Sequence, residues 1–292
     1  VIDRAEDKSF EIKQPFLIEI ILNLLEIDDK VNSKSTPVVK PLLHKDKDAD
    51  PRVRKWKYRS DIGMLNYLLV SSRPDLGMAV HQCARFCVDP KITHERAVMR
   101  IGKYLLGTKD KGLRFIPDIK KGIECFVDAD FAGAWDKNDA FNPENVYSRT
   151  GYVIFYCGCP VIWCSKLQSE IALSTAESEY IALSQATREI IPLMNLLKEV
   201  QPYMQLTIKP TKMHCTIHED NTSCITMAQS QRFTPRTKHI SLKYHWFRSF
   251  LSGPNKLLDI VHVNTKEQIA DLLTKPLDEP LFTYLRRKLC GW

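Results

Sequence analysis

The amino-acid sequence predicts an α/β protein, in which a mainly helical front part precedes a five-stranded sheet flanked by helices. Three observations predict this fold class. In residues 16–25 and 61–106, apolar residues recur at the three- and four-residue steps of helices. From about residue 120 the pattern changes to short extended runs. Further along, extended runs alternate with helical stretches, which is the order typical of an α/β fold.

Composition narrows the class of protein. The chain has 292 residues, 44% hydrophobic and 26% charged, which is typical of a soluble globular protein with one large or two ordinary domains. Its longest apolar stretch, residues 16–25, is interrupted by Glu19 and Asn23 and is too short to span a bilayer. We therefore expect no transmembrane segment, no signal peptide, and a cytoplasmic location. Nine scattered cysteines without a Cys-x-x-Cys pair favour reduced thiols over a disulfide framework or a zinc site.

The front part is predicted to be helical with one exposed interruption. Residues 16–25 have helical apolar spacing, and residues 28–60 are polar and charged, as expected of an exposed connection. Residues 61–106 follow a helical pattern that Pro74 breaks, and its last helix, 94–106, ends near Gly107.

The second part is predicted as three strands followed by alternating helices and strands. Strands are predicted at 123–131, 151–156, 161–166, 213–218 and 257–263, and helices at 174–199, 222–229, 242–251 and 266–274. The tight turn at 157–160 makes the second and third strands a hairpin, and Pro192 is expected to kink the long helix.

The net charge of +7 is confined to the front part. Residues 1–122 hold 24 Lys and Arg against 17 Asp and Glu, whereas residues 123–292 hold 18 of each. This division suggests a region that grips a polyanion beside a region that uses its acids for something else, although random surface variation explains the charge alone equally well.

Four carboxylates occupy special positions in the predicted elements. Asp128 lies on the first strand of the second part, Asp220 ends the fourth strand, and Asp271 lies within the last predicted helix. The fourth is Glu177 or Glu179, near the start of the long helix.

Helical geometry favours Glu179 over Glu177. Residues 174–177 match a capping box, in which a serine hydroxyl and a glutamate satisfy free amides at the helix start. Glu179 instead begins the core-facing apolar stripe that continues through Ala182, Leu183, Ala186, Ile190, Leu193, Met194 and Leu197. A carboxylate on that face is costly unless a cation or hydrogen bonds compensate it.

Several carboxylates that converge repel one another, and divalent cations with oxygen ligands relieve that repulsion. Two such ions roughly 4 Å apart can activate a water molecule and stabilise a leaving oxygen in phosphodiester cleavage. Each acid alone is better explained as a solvated or capping residue, but four in suitable elements favour a metal site.

Residues 123–277 resemble the ribonuclease H domain of copia-type retrotransposon polyproteins. The matching stretches are Val127–Gly133, Ser148–Val153, Trp163–Gln168, Ala172–Leu183, Glu219–Asn221, Arg236–Ile240 and Val263–Leu277. The resemblance implies a mixed five-stranded ribonuclease H sheet and an Asp-Glu-Asp-Asp magnesium site on Asp128, Glu179, Asp220 and Asp271. It also implies two Mg²⁺ ions, with Mn²⁺ as a substitute, and hydrolysis of the RNA strand of an RNA–DNA hybrid.

The front part resembles the helical segment that joins copia-type reverse transcriptase to its ribonuclease H, on Tyr58–Leu69, Ser72–Leu76 and 94–108. This resemblance implies three regions: a thumb-like remnant of reverse transcriptase at 1–44, a basic helical connection at 45–117, and ribonuclease H at 118–292. No Tyr-x-Asp-Asp motif is present, so we expect no polymerase activity from this chain. The upstream palm and fingers are the expected partner, within a virus-like particle if the element is active.

Candidate substrate contacts are basic. Arg232, Arg236, Lys238 and His239 follow the fourth-strand acid, and residues 40–59 hold eight Lys and Arg against three Asp. For both segments a structural role, in helix capping or on a solvated face, is an open alternative. The resemblance also leaves open whether His262 is a mobile active-site histidine or a plain strand residue.

Two other functions stay open at this point. The chain could be a non-catalytic relic that binds nucleic acid, although its four intact acids favour activity. A DDE-type transposase or integrase shares the general fold, but its glutamate comes from a late helix, whereas Glu179 lies in an early one. The sequence gives no oligomeric state.

Overall fold

The computed structural model describes residues 1–6, 9–45, 49–135, 137, 145–203, 213–230, 240, 242–254 and 256–292. These residues form two compact units. The first unit consists of Val1–Ile116, Ala132–Val146 and Leu272–Trp292, and the second of Pro117–Phe131 and Tyr147–Asp271. The assignment of 1–44, 45–117 and 118–292 to reverse transcriptase remnant, connection and ribonuclease H stays a prediction.

The first unit is mainly helical, as predicted. It begins with strands β1 (Ile2–Arg4) and β2 (Phe10–Ile12), followed by helices α1 (Pro15–Leu24), α2 (Tyr58–Ser71), α3 (Gly77–Ala84) and α4 (Ile92–Leu106), and by strand β3 (Leu113–Phe115). The three strands form an antiparallel sheet in the order β1-β2-β3, which the sequence did not predict because each strand has only three residues. A 3-10 turn at Pro74–Leu76 separates α2 from α3 at the predicted break.

The prediction that residues 28–60 form an exposed connection is wrong in part. Leu43 is buried, and the guanidinium of Arg100, on α4, donates hydrogen bonds to the carbonyl (3.0 Å) and hydroxyl (2.8 Å) oxygens of Thr36. Backbone carbonyls accept hydrogen bonds in any sequence, so a polar composition does not exclude packing against a helix.

The second unit contains the predicted five-stranded mixed sheet, flanked by helices. Its strands are β4 (Ile123–Asp130), β5 (Arg149–Tyr156), β6 (Cys159–Leu167), β7 (Cys215–Glu219) and β8 (Leu258–His262), in the order β6-β5-β4-β7-β8. Strands β4, β5 and β6 pair antiparallel, and β4, β7 and β8 pair parallel. Strand β4 is therefore central. The predicted hairpin is confirmed, and Cys157 and Gly158, both with positive φ, form its two-residue turn.

Helix α5 (Thr175–Val200) covers one face of this sheet. Its predicted apolar stripe is buried at Ala182, Leu183, Ala186, Ile190 and Met194, against strand residues such as Cys125 and Val127. Helix α6 (Thr222–Gln229) follows β7, as predicted.

Two segments that were predicted as single α-helices have a different secondary structure. Residues 242–251 form two short 3-10 helices, Leu242–Tyr244 and Trp246–Phe250. Residues 266–274 do not form one helix, because a 3-10 turn at Thr265–Glu267 ends in the extended Gln268 before α7 (Asp271–Thr274) begins. Asp271 therefore starts a helix instead of lying within one.

Helix α8 (Glu279–Cys290) belongs to the first unit, together with the C-terminal Trp292. The indole Nε1 of Trp292 donates to the carbonyl of Gly112 (2.6 Å), and its ring lies 4.0 Å from the Arg286 guanidinium. No helix among the described ranges is long and apolar enough to cross a membrane.

Candidate metal centre

Three of the four predicted acids converge in the second unit. Asp128 lies on β4, Glu179 lies in the first turns of α5, and Asp220 directly follows β7. One carboxylate oxygen from each lies within 4.8 Å of the others. The structure thus brings together residues that are separated by as many as 92 positions in the sequence (220 − 128).

Asp128 is held on the central strand beside a residue without a side chain. It is 0% exposed, and its cross-strand partner on β5 is Gly151. Paired residues of an antiparallel ladder share one face of the sheet, so this position of β5 places no side chain beside the carboxylate.

The helix start separates the roles of Glu177 and Glu179. The Ser174 hydroxyl accepts a hydrogen bond from the Glu177 amide (3.2 Å), and the Glu177 carboxylate accepts one from the Leu173 amide (2.8 Å). Glu177 is therefore part of the cap, which ties down otherwise unpaired amides. Glu179, 3% exposed, joins the acid cluster.

Asp220 is fixed by the residues on either side of it. The amide of Asn221 donates to Oε1 of the buried Glu219 (3.0 Å), and Oδ1 of Asn221 accepts from the Cys224 amide (3.0 Å) as the cap of α6. Asp220 consequently lies between the end of a strand and the first turn of a helix.

Asp271, the fourth predicted acid, is not a member of the group of three. It is buried at the start of α7, and its amide donates to the carbonyl of Gln268 (3.2 Å). Side-chain Nε2 of Gln268 donates to the carbonyl of Val127 (2.9 Å), the residue before Asp128. The segment that bears Asp271 is thus attached to the strand that bears Asp128.

The cluster has a negative electrostatic environment. Burial raises the pKa of the Cys224 thiol well above its ordinary value, and the charges of Glu219, Glu179 and Asp220 raise it further. Carboxylate oxygens are hard donors suited to Mg²⁺, Mn²⁺ or Ca²⁺. Asp128 and Glu179 are buried and Asp220 is half-buried, and acids so close together are costly without a cation, so the residues fit a divalent metal ion.

Substitution of the two glutamates is expected to affect different properties, stability for Glu177 and Mn²⁺ binding for Glu179. We expect Glu177→Ala to lower the free energy of unfolding by about 1 kcal/mol through loss of the cap, and to leave Mn²⁺ affinity unchanged. Glu179→Gln should weaken Mn²⁺ binding by at least about tenfold, because ligand charge sets the affinity of such sites. Urea denaturation and calorimetric titration with Mn²⁺ measure the two effects. Equal Mn²⁺ affinity in both variants would show that Glu179 is not a ligand.

The predicted substrate contacts and His262 differ in how far the structure describes them. Arg232, Arg236, Lys238 and His239 lie outside the described residues. His262 is exposed at the end of β8, in register with Glu219. In the basic stretch 40–59, some cations pair with acids of their own unit: Lys40 with Asp278 (2.7 Å), Arg54 with Glu26 (3.2 Å) and Arg52 with Glu95 (3.6 Å).

Sequence reasoning missed two buried glutamines beside the acids, Gln168 and Gln268. Both lie in stretches that resemble the ribonuclease H family, but glutamine carries no charge and neither residue stands in a recognised motif of its own. Only their hydrogen-bond partners, which are distant in sequence, distinguish them.

Comparison with known proteins identifies relatives among transposon proteins. No protein-family model matches the sequence. The Pol polyprotein of transposon TNT 1-94 from Nicotiana tabacum is 37% identical over 239 residues, which are 81% of this chain and 16% of the polyprotein. That of transposon RE1 from Arabidopsis thaliana is 31% identical over 273 residues, 92% of this chain and 17% of the polyprotein. Both are described as retrovirus-related Pol polyproteins.

A solved structure, LC11-RNase H1 in complex with an RNA/DNA hybrid, is similar over 52% of this chain and 93% of its own. The sequence identity is 17% and the TM-score is 0.33. The chain spans about a sixth of the length of the Pol polyproteins it matches. Over 80–92% of its length the chain is thus homologous to copia-type retrovirus-related Pol polyproteins of plant transposons.

Proposed function

We propose that the second unit is a metal-dependent ribonuclease H, which hydrolyses the RNA strand of RNA–DNA hybrids. The observation that carries this proposal is the convergence of Asp128, Glu179 and Asp220 within 4.8 Å on a mixed five-stranded sheet. The similarity of the chain to retrovirus-related Pol polyproteins supports it. Copying RNA into DNA leaves a hybrid whose RNA strand has to be removed.

The three clustered carboxylates would hold divalent ions, for which we propose Mg²⁺ with Mn²⁺ as a substitute. Asp271 would complete the set for a second ion. Bound there, such ions supply an activated water and stabilise the leaving oxygen in phosphodiester hydrolysis. The chain itself supplies the ligand charges and a buried environment, in which the charged groups interact more strongly than in water.

Recognition of the substrate requires contacts to phosphates and to 2′-hydroxyls in the shallow minor groove of the hybrid. We propose Arg232, Arg236, Lys238 and His239 as phosphate contacts on the basis of their charge and their position after Asp220. The upstream palm and fingers of the polyprotein are the proposed partner. The chain lacks a Tyr-x-Asp-Asp motif, so we propose no polymerase activity for it.

A cleavage assay on the purified chain tests this function. End-labelled RNA is offered in an RNA–DNA hybrid, in duplex RNA and as a single strand, beside labelled duplex DNA, with Mg²⁺, Mn²⁺ or EDTA. We expect cutting only of RNA within the hybrid, and only with a divalent ion. Cleavage of duplex DNA would favour the transposase or integrase class. Binding of the hybrid without cleavage under every condition would favour the non-catalytic relic.

A further inference from the structure

Gln268 bridges two strands at the point where they separate. The parallel ladder between β4 and β7 runs from the Ile123–Cys215 pair to the Phe126–His218 pair and goes no further. Nε2 of Gln268 donates to the carbonyl of His218 (3.4 Å), which belongs to the last pair of the ladder. It also donates to the carbonyl of Val127 (2.9 Å), which lies one residue beyond the ladder on β4. A side-chain amide therefore spans the opening between the strands that lead to Asp128 and Asp220.

The same glutamine shapes the segment that bears Asp271. Its Oε1 accepts from the amide of Ala270 (3.3 Å), and its carbonyl accepts from the amide of Asp271 (3.2 Å). Gln268 is 0% exposed. One buried side chain is thus bonded to the elements that carry three of the four predicted acids.

Gln168 makes an equivalent connection to the helix that bears Glu179. It follows β6 directly, and its Nε2 donates to the carbonyl of Ser178 (2.8 Å) and to the hydroxyl of Thr150 on β5 (3.1 Å). Its backbone amide donates to the carbonyl of Ser148 (2.8 Å). Gln168 therefore attaches the first turns of α5 to the edge of the sheet.

The two contacts occupy corresponding positions relative to the acids. Gln268 holds the carbonyl of the residue immediately before Asp128, and Gln168 holds the carbonyl of the residue immediately before Glu179. A carbonyl fixed in this way restricts the peptide plane that leads into the next residue, and so the origin of its side chain. Neither amide contacts an acid directly, so each glutamine acts through the backbone.

Gln168 also carries a cost that packing does not explain. Its Oε1 is buried and accepts no hydrogen bond from any residue that the structure describes. A methionine of nearly the same size would fill this space without burying an unpaired acceptor. The amide must therefore contribute something other than volume.

We propose that Gln168 and Gln268 are positioning residues of the metal centre, which fix the spacing of Asp128, Glu179 and Asp220 through the backbone. The inference rests on the proposed metal-dependent function. Outer partners that orient metal ligands typically change metal affinity or activity by about 10- to 100-fold when they are removed. We expect an effect in this range on divalent-ion affinity.

The test uses the full chain and the variants Gln168→Met and Gln268→Met, with Gln82→Met as a matched control. Gln82 is as buried as Gln168, 3% exposed, but lies in the first unit. Mn²⁺ affinity is measured by calorimetry, and folding by circular dichroism and urea denaturation. We expect roughly tenfold or greater loss of Mn²⁺ affinity in both variants and none in the control. If Gln268→Met does not fold, Gln168→Met tests the proposal by itself, because it removes the equivalent hydrogen bond to the carbonyl of Ser178.

Cleavage adds a second readout that a purely structural role would not change. The half-saturating Mg²⁺ concentration should rise in both variants, and activity should return at high Mg²⁺ with the KM for the hybrid unchanged. Variants that bind Mn²⁺ like the wild type, while Asp128→Asn does not, would overturn the positioning role and leave the proposed function intact. Failure of the wild type itself to bind Mn²⁺ would overturn both.

Discussion

Asp128→Asn is expected to lower the rate of RNA-strand cleavage by at least about 10³-fold at saturating Mg²⁺. The substitution keeps the shape of a fully buried side chain on the central strand and removes its charge. A metal ion contributes several kcal/mol of charge stabilisation to phosphodiester hydrolysis, and about 4 kcal/mol corresponds to about 10³ in rate. Asp128 lies on β4, between β5 and β7, and one of its carboxylate oxygens lies within 4.8 Å of an oxygen of Glu179 and of an oxygen of Asp220.

Two measurements separate this effect from misfolding or loss of substrate. Binding of the hybrid in EDTA should be unchanged, and the melting temperature in EDTA should not fall, because the variant buries one negative charge fewer beside Glu179 and Asp220. Asp118→Asn, an exposed aspartate of the same unit, is the matched control and should cleave like the wild type. Equal cleavage by Asp128→Asn and the wild type would refute the assignment of the site.

The second large effect concerns stability of the first unit. Asp75→Asn is expected to lower its free energy of unfolding by about 3–5 kcal/mol, because it leaves a buried guanidinium without its counter-ion. Arg73 and Asp75 are both buried, and two hydrogen bonds join them, Nη2 to Oδ2 at 2.8 Å and Nε to Oδ1 at 3.0 Å. The Tyr104 hydroxyl donates to the same carboxylate at 2.6 Å.

The contribution of this pair depends on pH with a definite sign. Burial alone would raise the pKa of Asp75, but the charge and hydrogen bonds of Arg73, with the hydrogen bond of Tyr104, hold it below its ordinary value of 3.8. A lowered pKa in the folded state means that the unfolded chain binds the proton first as pH falls. The pair therefore stabilises the fold fully at neutral pH, and its contribution begins to fall below about pH 4 and is lost as pH passes through the lowered pKa of Asp75.

Urea denaturation of the wild type and Asp75→Asn at pH 7 and near pH 3 measures the loss in free energy of unfolding and its dependence on pH. The difference between the two proteins should be largest at pH 7 and smaller at pH 3. Replacing both partners, in Arg73→Met/Asp75→Leu, should recover much of the loss because no charge is then buried alone. A loss under 1 kcal/mol in the single variant would show that the pair does not hold the unit together.

Much of the second unit could be predicted from local patterns. Alternation, turn residues and helical periodicity located its five strands and helix α5, and the capping-box pattern together with helical phase favoured Glu179 over Glu177. Patterns failed where the chain departs from regular periodicity. Residues 242–251 carry helical spacing but form two 3-10 helices, and Gln268 interrupts what the sequence pattern extends as one helix.

By itself, the sequence determined which elements carry Asp128, Glu179 and Asp220, because element type depends on residue spacing over one or two turns or strands. Only the tertiary structure decided that Asp128, Glu179 and Asp220 meet while Asp271 starts a separate turn. It also decided that helix α8 packs in the first unit, where the thiol of Cys290 lies 3.9 Å from Asp75. These pairings join residues up to 215 positions apart. Residue spacing along the chain carries no information about which distant backbone and side-chain groups will form hydrogen bonds with one another.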